Sequence, residues 1–169
     1  MAEGKMDVLW APWRMEYILS EKEDGCIFCK SLEADERQRL VLYKSEHCFV
    51  MMNRYPYNNG HLMIAPYRHT GLLEDLTLEE AQDLMLTLQK ALVVLKEAFR
   101  PDGFNIGVNI GKVAGAGVAD HLHFHIVPRW EGDTNYMPVI SSTRVIPEHL
   151  ERTYERLLPL FHQGDLKGR

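Results

Sequence analysis

The sequence has little of what would make it a secreted scaffold, a membrane protein or a polyanion binder. Three cysteines, Cys26, Cys29 and Cys48, are too few and too odd in number for the disulfide framework of a small secreted domain. No apolar run exceeds the five residues of Ala91–Leu95, far short of the roughly 18 a bilayer-crossing helix needs. The N-terminal stretch shows no apolar segment after a basic start, as a secretory leader would. Basic clusters are missing too. The 19 Lys and Arg are outnumbered by 24 Asp and Glu, giving a net charge of −5, so neither nucleic acid nor an anionic membrane surface is an expected partner. The 12 glycines and 8 prolines form no linker, low-complexity tract or repeat. What remains is a chain of ordinary globular composition, 46% hydrophobic and 25% charged, expected in the cytoplasm. Its 169 residues favour one domain. A domain of this length buries roughly 70% of the surface its unfolded chain exposes.

Hydrophobic periodicity divides the chain. A segment to about residue 36 carries no clear period and is expected to be irregular. Arg39 to Tyr43 and His47 to Met52 read as short strands separated by Lys44, Ser45 and Glu46. A turn-rich stretch, Asn53 to Gly60, leads into a strand at His61 to Ala65. Thr77 and Glu80 have the spacing of a capping box, and Leu78, Ala81, Met85, Leu88, Leu92, Leu95 and Phe99 recur every three or four residues. That spacing predicts a helix over 78–99, closed by Pro101 and Gly103.

Gly103 to Gly111 alternates, with Phe104, Ile106, Val108 and Ile110 on one face and only Gly and Asn on the other. A glycine-rich loop joins it to a second alternating strand, in which Leu122, Phe124 and Ile126 are expected to face the core and His121, His123 and His125 the opposite side. Paired as a hairpin, the two strands would form one wall of a pocket. A last helix is expected from about Pro147 to Phe161, with Pro159 able to end it early. The expected fold is α+β, a mostly antiparallel sheet with one main helix packed on it.

Two constellations carry chemistry. Cys26-Ile27-Phe28-Cys29 has the two-residue spacing that points both sulfurs of a tight knuckle at one metal, but it supplies only half a site. Three histidines alternating on one strand face fit three readings. They could bind zinc, since His at i and i+2 can share one ion. The middle imidazole could be a nucleophile oriented by its neighbours. They could also form a solvated polar face.

The run His121-Leu122-His123-Phe124-His125-Ile126-Val127 resembles the His-x-His-x-His-x-x signature of the histidine triad (HIT) superfamily of nucleotidyl hydrolases and transferases. Asn53-Arg54 before Gly60-His61-Leu62-Met63-Ile64-Ala65-Pro66 resembles the family's earlier strand. Leu9-Trp10-Ala11-Pro12-Trp13-Arg14, the Cys26 and Cys29 pair, and Pro128-Arg129-Trp130 before Gly132-Asp133-Thr134-Asn135 resemble a narrower branch, similar to diadenosine tetraphosphate phosphorylases. The resemblance implies a single HIT-like domain over 1–169, with an extension at 1–36 holding a zinc knuckle, a core at 37–130 and a C-terminal extension at 131–169.

It also implies that His123 attacks the α-phosphate of a dinucleoside polyphosphate and forms a nucleotidyl-imidazole, which phosphate or water then releases. His125 and His121 complete the catalytic set. Asn53 would contact the ribose, Asn109 and the loop at Ala116 and Gly117 the phosphates, and Trp130 the substrate. A structural zinc would be held by Cys26, Cys29, His69 and His121, with His47 competing for the place of His69, and no organic cofactor is expected. Hydrolysis of dinucleoside polyphosphates or nucleoside phosphoramidates is the second expectation, and a nucleotide-binding protein with little turnover the third. The resemblance implies a homodimer as well. One departure stands out: Gly115-Ala116-Gly117-Val118-Ala119-Asp120 has no Gln where many relatives carry one before the triad, which would leave the loop open enough for inorganic phosphate as second acceptor.

Overall fold

A computed structural model describes residues 25–133 and 148–163. Trp10, Trp13, Thr134, Asn135 and Pro147, singled out in the sequence, lie outside the described residues. The order of elements is α1 (Ile27–Glu33), α2 (Glu36–Arg39), β1 (Val41–Lys44), β2 (Cys48–Met52), β3 (Leu62–Pro66), α3 (Leu78–Phe99), β4 (Gly103–Val108), β5 (Phe124–Arg129) and α4 (Leu150–His162). The strands form one antiparallel sheet in the order β1-β2-β3-β5-β4.

The period-2 rule assigns the two faces. Cys48, Val50 and Met52 of β2, Leu62 and Ile64 of β3 and Ile126 of β5 meet Leu84, Leu88, Ala91 and Leu95 of α3 and Tyr154, Leu157 and Phe161 of α4. The alternate residues, Phe49 and Met51 of β2 and Met63 and Ala65 of β3, form a smaller core with Val41 and with Phe28 of α1. Met63 pairs with His125, so the imidazole of His125 stands on this second face, away from α3 and α4. Both layers are needed because β2 and β3 are buried along their whole length.

The capping box forms as expected: Thr77 Oγ1 accepts from the Glu80 amide and the Glu80 carboxylate accepts from the Thr77 amide, opening α3 at residue 78. Its buried face differs from the expected one. Leu78 is 78% exposed and Met85 50%, whereas Leu84, Thr87 and Val94 are buried. Apolar residues occur almost all round this helix, so the contacts with β2 and β3, and no periodicity, select the face. The N-terminal expectation is corrected as well. Residues 27–33 are helical and Arg39 ends α2, because Phe28 and Ser31 bury one side of a short helix that local pattern alone would not reveal. Pro159 does not end α4, which runs to His162. Proline in the last turn removes one hydrogen bond, and burial of Leu157 and Phe161 on either side holds the helix together.

Candidate active site

The hairpin β4–β5 pairs Gly107 with His125 and Val108 with Phe124, which places the bare side of β4 beside the histidine face. Each histidine of the triad has a different partner, and that partner fixes the tautomer of its ring. His121 Nε2 lies 2.9 Å from the Pro66 carbonyl oxygen, which can only accept, so Nε2 carries the proton and Nδ1 the lone pair. His123 Nδ1 lies 2.9 Å from the carbonyl oxygen of His121, so here Nδ1 is protonated and Nε2 holds the lone pair. Burial pushes both imidazoles below the usual histidine range, which favours the neutral form.

The tautomer of the third histidine is set by a residue outside the triad. The amide of Tyr57 donates to His61 Nδ1 at 3.1 Å, so His61 carries its proton on Nε2 and donates it across 2.9 Å to His125 Nδ1. His125 therefore bears its own proton on Nε2. Tyr57 stacks on His61 at 4.8 Å between ring centroids, and His61 is buried. Sequence reasoning missed His61 as a site residue. The available signal was a histidine directly after Gly60, but only the pairing of β3 with β5 brings it to the triad. Gly60 is constrained twice: its φ is +71°, and a Cβ there would lie 3.1 Å from the Phe99 ring.

The remaining expected residues fall in different places. Asn53 accepts from the Tyr55 amide at 2.9 Å through Oδ1 and sets Nδ2 3.4 Å from His61 Nδ1, at the rim of the same cluster. Asn109 Nδ2 donates to Gly115 O at 3.4 Å, tying the end of β4 to the glycine loop. The Ala116 amide donates to Gly111 O at 3.3 Å, so it closes that loop; Gly117 follows it and is exposed. Trp130 follows the far end of β5, its indole donating to the Phe99 carbonyl at 3.3 Å; the intervening strand separates it from His123 within the same chain.

Cys26, Cys29, His69 and His121 converge as the four-residue set that the resemblance implied. Their ligand atoms all lie within 4.8 Å of one another. His121 Nδ1 is 3.2 Å from Cys26 Sγ, 3.6 Å from Cys29 Sγ and 3.2 Å from His69 Nδ1, and Cys29 Sγ is 3.4 Å from His69 Nδ1. A tetrahedral zinc with ordinary bond lengths sets sulfur and nitrogen about 3.5 Å apart and two nitrogens about 3.3 Å apart. The donor set fits that ion, and the Pro66 carbonyl holds His121 in the ligating tautomer. Burial and the adjacent Cys26 push the Cys29 thiol above its ordinary range, an effect a bound cation would reverse. His47 is elsewhere, its amide bonded to Asp83 Oδ2 at 2.8 Å and its ring 3.9 Å from Glu46. Nor do the three triad histidines share one point as a catalytic metal centre would require: His121 faces the cysteines, while His123 and His125 are held by the bonds described above.

A small antiparallel sheet with three alternating imidazoles running into its β5 strand, each held in a defined tautomer, defines a protein class built around histidine chemistry. The chain belongs to the histidine triad family, since the HIT domain model matches residues 34–132. It is 42% identical over 159 residues to the AP-4-A phosphorylase of Mycobacterium tuberculosis, covering 89% of this chain and 81% of that one. It is 33% identical over 137 residues to the bis(5'-adenosyl)-triphosphatase of Dictyostelium discoideum, covering 78% and 91%. Among solved structures, a Zn-bound histidine triad family protein from Mycobacterium smegmatis superposes with a TM-score of 0.65 at 29% identity, covering 82% of this chain and 94% of the other.

Proposed function

We propose that the chain is a nucleotidyl transferase that cleaves dinucleoside polyphosphates by phosphorolysis, as a diadenosine tetraphosphate phosphorylase does. The carrying observation is the tautomer of His123: its Nδ1–H is committed to the His121 carbonyl and its Nε2 lone pair is left for attack. In the first step Nε2 forms a bond to the α-phosphorus and the bond from that phosphorus to the polyphosphate breaks, releasing ATP from diadenosine tetraphosphate. The imidazole becomes cationic, and the His121 carbonyl stabilises that charge through Nδ1–H. In the second step inorganic phosphate displaces the imidazole to give ADP. One in-line site serves both halves.

His125 donates from Nε2 to a phosphate oxygen, and His61 keeps that proton in place. His121 takes part through its carbonyl while its ring belongs to the metal group. Asn53 reaches the ribose hydroxyls through the second lone pair of its Oδ1 and Asn109 a phosphate oxygen through its second amide hydrogen, beside the open loop at Ala116 and Gly117. Trp130 is assigned to substrate by resemblance, which its position permits only if another copy or a bent ligand brings the two together. The metal group is assigned to zinc. Its chemistry is structural, bracing the segment that presents His123, since four protein ligands close the tetrahedron.

A homodimer is part of the proposal. Among the described residues β4 pairs only with β5, and Ile106 on that edge strand is 44% exposed, as are Leu86 (55%) and Val93 (43%) on α3. No helix among the described residues is long and apolar enough to cross a membrane. Cytoplasmic location is proposed from composition alone.

Incubation with diadenosine tetraphosphate, with and without inorganic phosphate, tests the reaction. The proposal expects ADP and ATP only with phosphate. AMP and ATP in both reactions identify a hydrolase, a reading that the likeness to the Dictyostelium triphosphatase favours. Binding without products identifies the nucleotide-binding module.

A further inference from the structure

We propose that Phe28 is a positioning residue for His123, holding the imidazole in its attacking orientation; this rests on the reading of His123 as nucleophile. Phe28 is fully buried. Its ring lies 4.7 Å from that of His123, tilted by 34°, and 5.0 Å from that of His121, tilted by 43°. His125 stands against His123 from another direction, 4.9 Å away and edge-on at 77°. The His123 ring is therefore bounded by an aromatic face and an imidazole, with its Nδ1 edge tied to the His121 carbonyl. The final torsion of a histidine side chain is broad, and one hydrogen bond leaves the ring able to swing about it. Packing against a flat, rigid neighbour narrows that swing.

Phe28 is placed by the cysteine pair. It occupies the spacer between Cys26 and Cys29, and the first helical turn there closes with a bond from the Lys30 amide to Cys26 O at 3.1 Å. The segment that gathers the metal ligands therefore also delivers the ring to the nucleophile, which gives the two-residue spacer a role beyond its length. Phe49 supplies a comparison. It is equally buried in the same small core, meeting Phe28 edge-on at 6.5 Å and stacking at 6.0 Å on Tyr67.

The test compares Phe28→Leu with Phe49→Leu, both carrying the full metal content of the wild type. With diadenosine tetraphosphate and phosphate, Phe28→Leu is expected to lose kcat on the order of tenfold to a hundredfold, as misplacement of a reacting group does, with little change in KM. Phe49→Leu is expected to unfold at lower denaturant and keep kcat. In substrate-free protein with labelled histidine, the ring-proton resonances of His123 are expected to move in Phe28→Leu, through loss of the stacked ring current, and to stay in place in Phe49→Leu. Wild-type kcat in Phe28→Leu, or unmoved His123 resonances, overturns the proposal. A wild-type protein without turnover overturns the reading of His123 instead, and the resonances then decide alone whether Phe28 fixes that ring. If Phe28→Leu does not fold, Phe28→Met, which keeps apolar bulk without a flat face, is measured in the same way against the same outcomes.

Discussion

His61 Nε2 lies 2.9 Å from His125 Nδ1, and this one bond decides which nitrogen of His125 carries the proton. Its direction is inherited from the Tyr57 amide, which can only donate to His61 Nδ1. A main-chain group in the turn after β2 thus sets the protonation pattern of a side chain on β5. Replacing His61 by Ala frees His125 to adopt either tautomer, and kcat is expected to fall on the order of tenfold to a hundredfold, the range for misdirected proton donors. His61→Gln, whose amide can still donate toward His125, is expected to recover part of that loss. Steady-state kinetics of the two variants check this, and wild-type activity in His61→Ala would remove His61 from that role.

Gly71 faces the segment that leads into the triad. A Cβ at this position would lie 2.5 Å from the Ala119 carbonyl oxygen and 3.1 Å from Asp120 Cα, both backbone. Next to it the Leu122 amide donates to Thr70 O at 2.6 Å. Gly71→Ala must displace this segment, at a cost of about 1–3 kcal/mol, the usual range for overpacking. Urea unfolding at neutral pH is expected to show the lower midpoint, and an unchanged midpoint would show that the loop yields freely.

Metal content separates the two histidines that sequence left in competition. His69→Ala and Cys29→Ser are expected to lose most of the bound metal and to melt earlier, because a structural ion contributes directly to folding. His47→Ala is expected to retain it, given that its amide and ring are engaged with Asp83 and Glu46. Elemental analysis of the purified variants gives the answer. Retention in His69→Ala together with loss in His47→Ala would reverse the assignment.

Acid stability has a specific contributor. The Arg68 guanidinium, with the Thr77 amide, holds the Glu80 carboxyl down at about 2. In the unfolded chain it titrates near its ordinary value of roughly 4.3. A carboxyl depressed by folding stabilises the native state fully above the unfolded value, and that contribution fades as pH falls from about 5 toward 2. Glu80→Gln is therefore expected to be less stable than wild type at pH 7 and to approach it at pH 3. Denaturant titrations at the two pH values check the sign, and a gap that widens in acid would contradict it.

The parts of the fold written in local patterns were legible. Thr77 and Glu80 mark the start of α3 because a capping box is a contact between near neighbours, and the alternation of His121, His123 and His125 is local too, although β5 begins only at Phe124, so His121 and His123 lie ahead of the strand expected to carry all three. What depends on distant contacts was not. Leu78 and Met85 share the helical period yet face outward, since the sheet chooses among several apolar stripes. His61 joins the site only through the register of β3 on β5. The helix at residues 27–33 is too short to announce itself and exists because Phe28 is buried under the triad. The converse case is the metal group, whose four members come from three separated stretches. They were assigned through family resemblance, as spacing alone reached only the two cysteines.

The central claim is that His123 carries the nucleotidyl group between donor and acceptor. The most direct measurement is acid-free quenching of the enzyme mixed with diadenosine tetraphosphate in the absence of phosphate, followed by peptide mass spectrometry. The account predicts an adenylyl group on the peptide containing His123, discharged to ADP when phosphate is added. It also predicts that His123→Asn binds the nucleotide but forms no adduct, with kcat reduced by about a thousandfold or more, as for loss of a nucleophile. Full turnover by His123→Asn, or an adenylyl group on another residue that discharges at the catalytic rate, would contradict it.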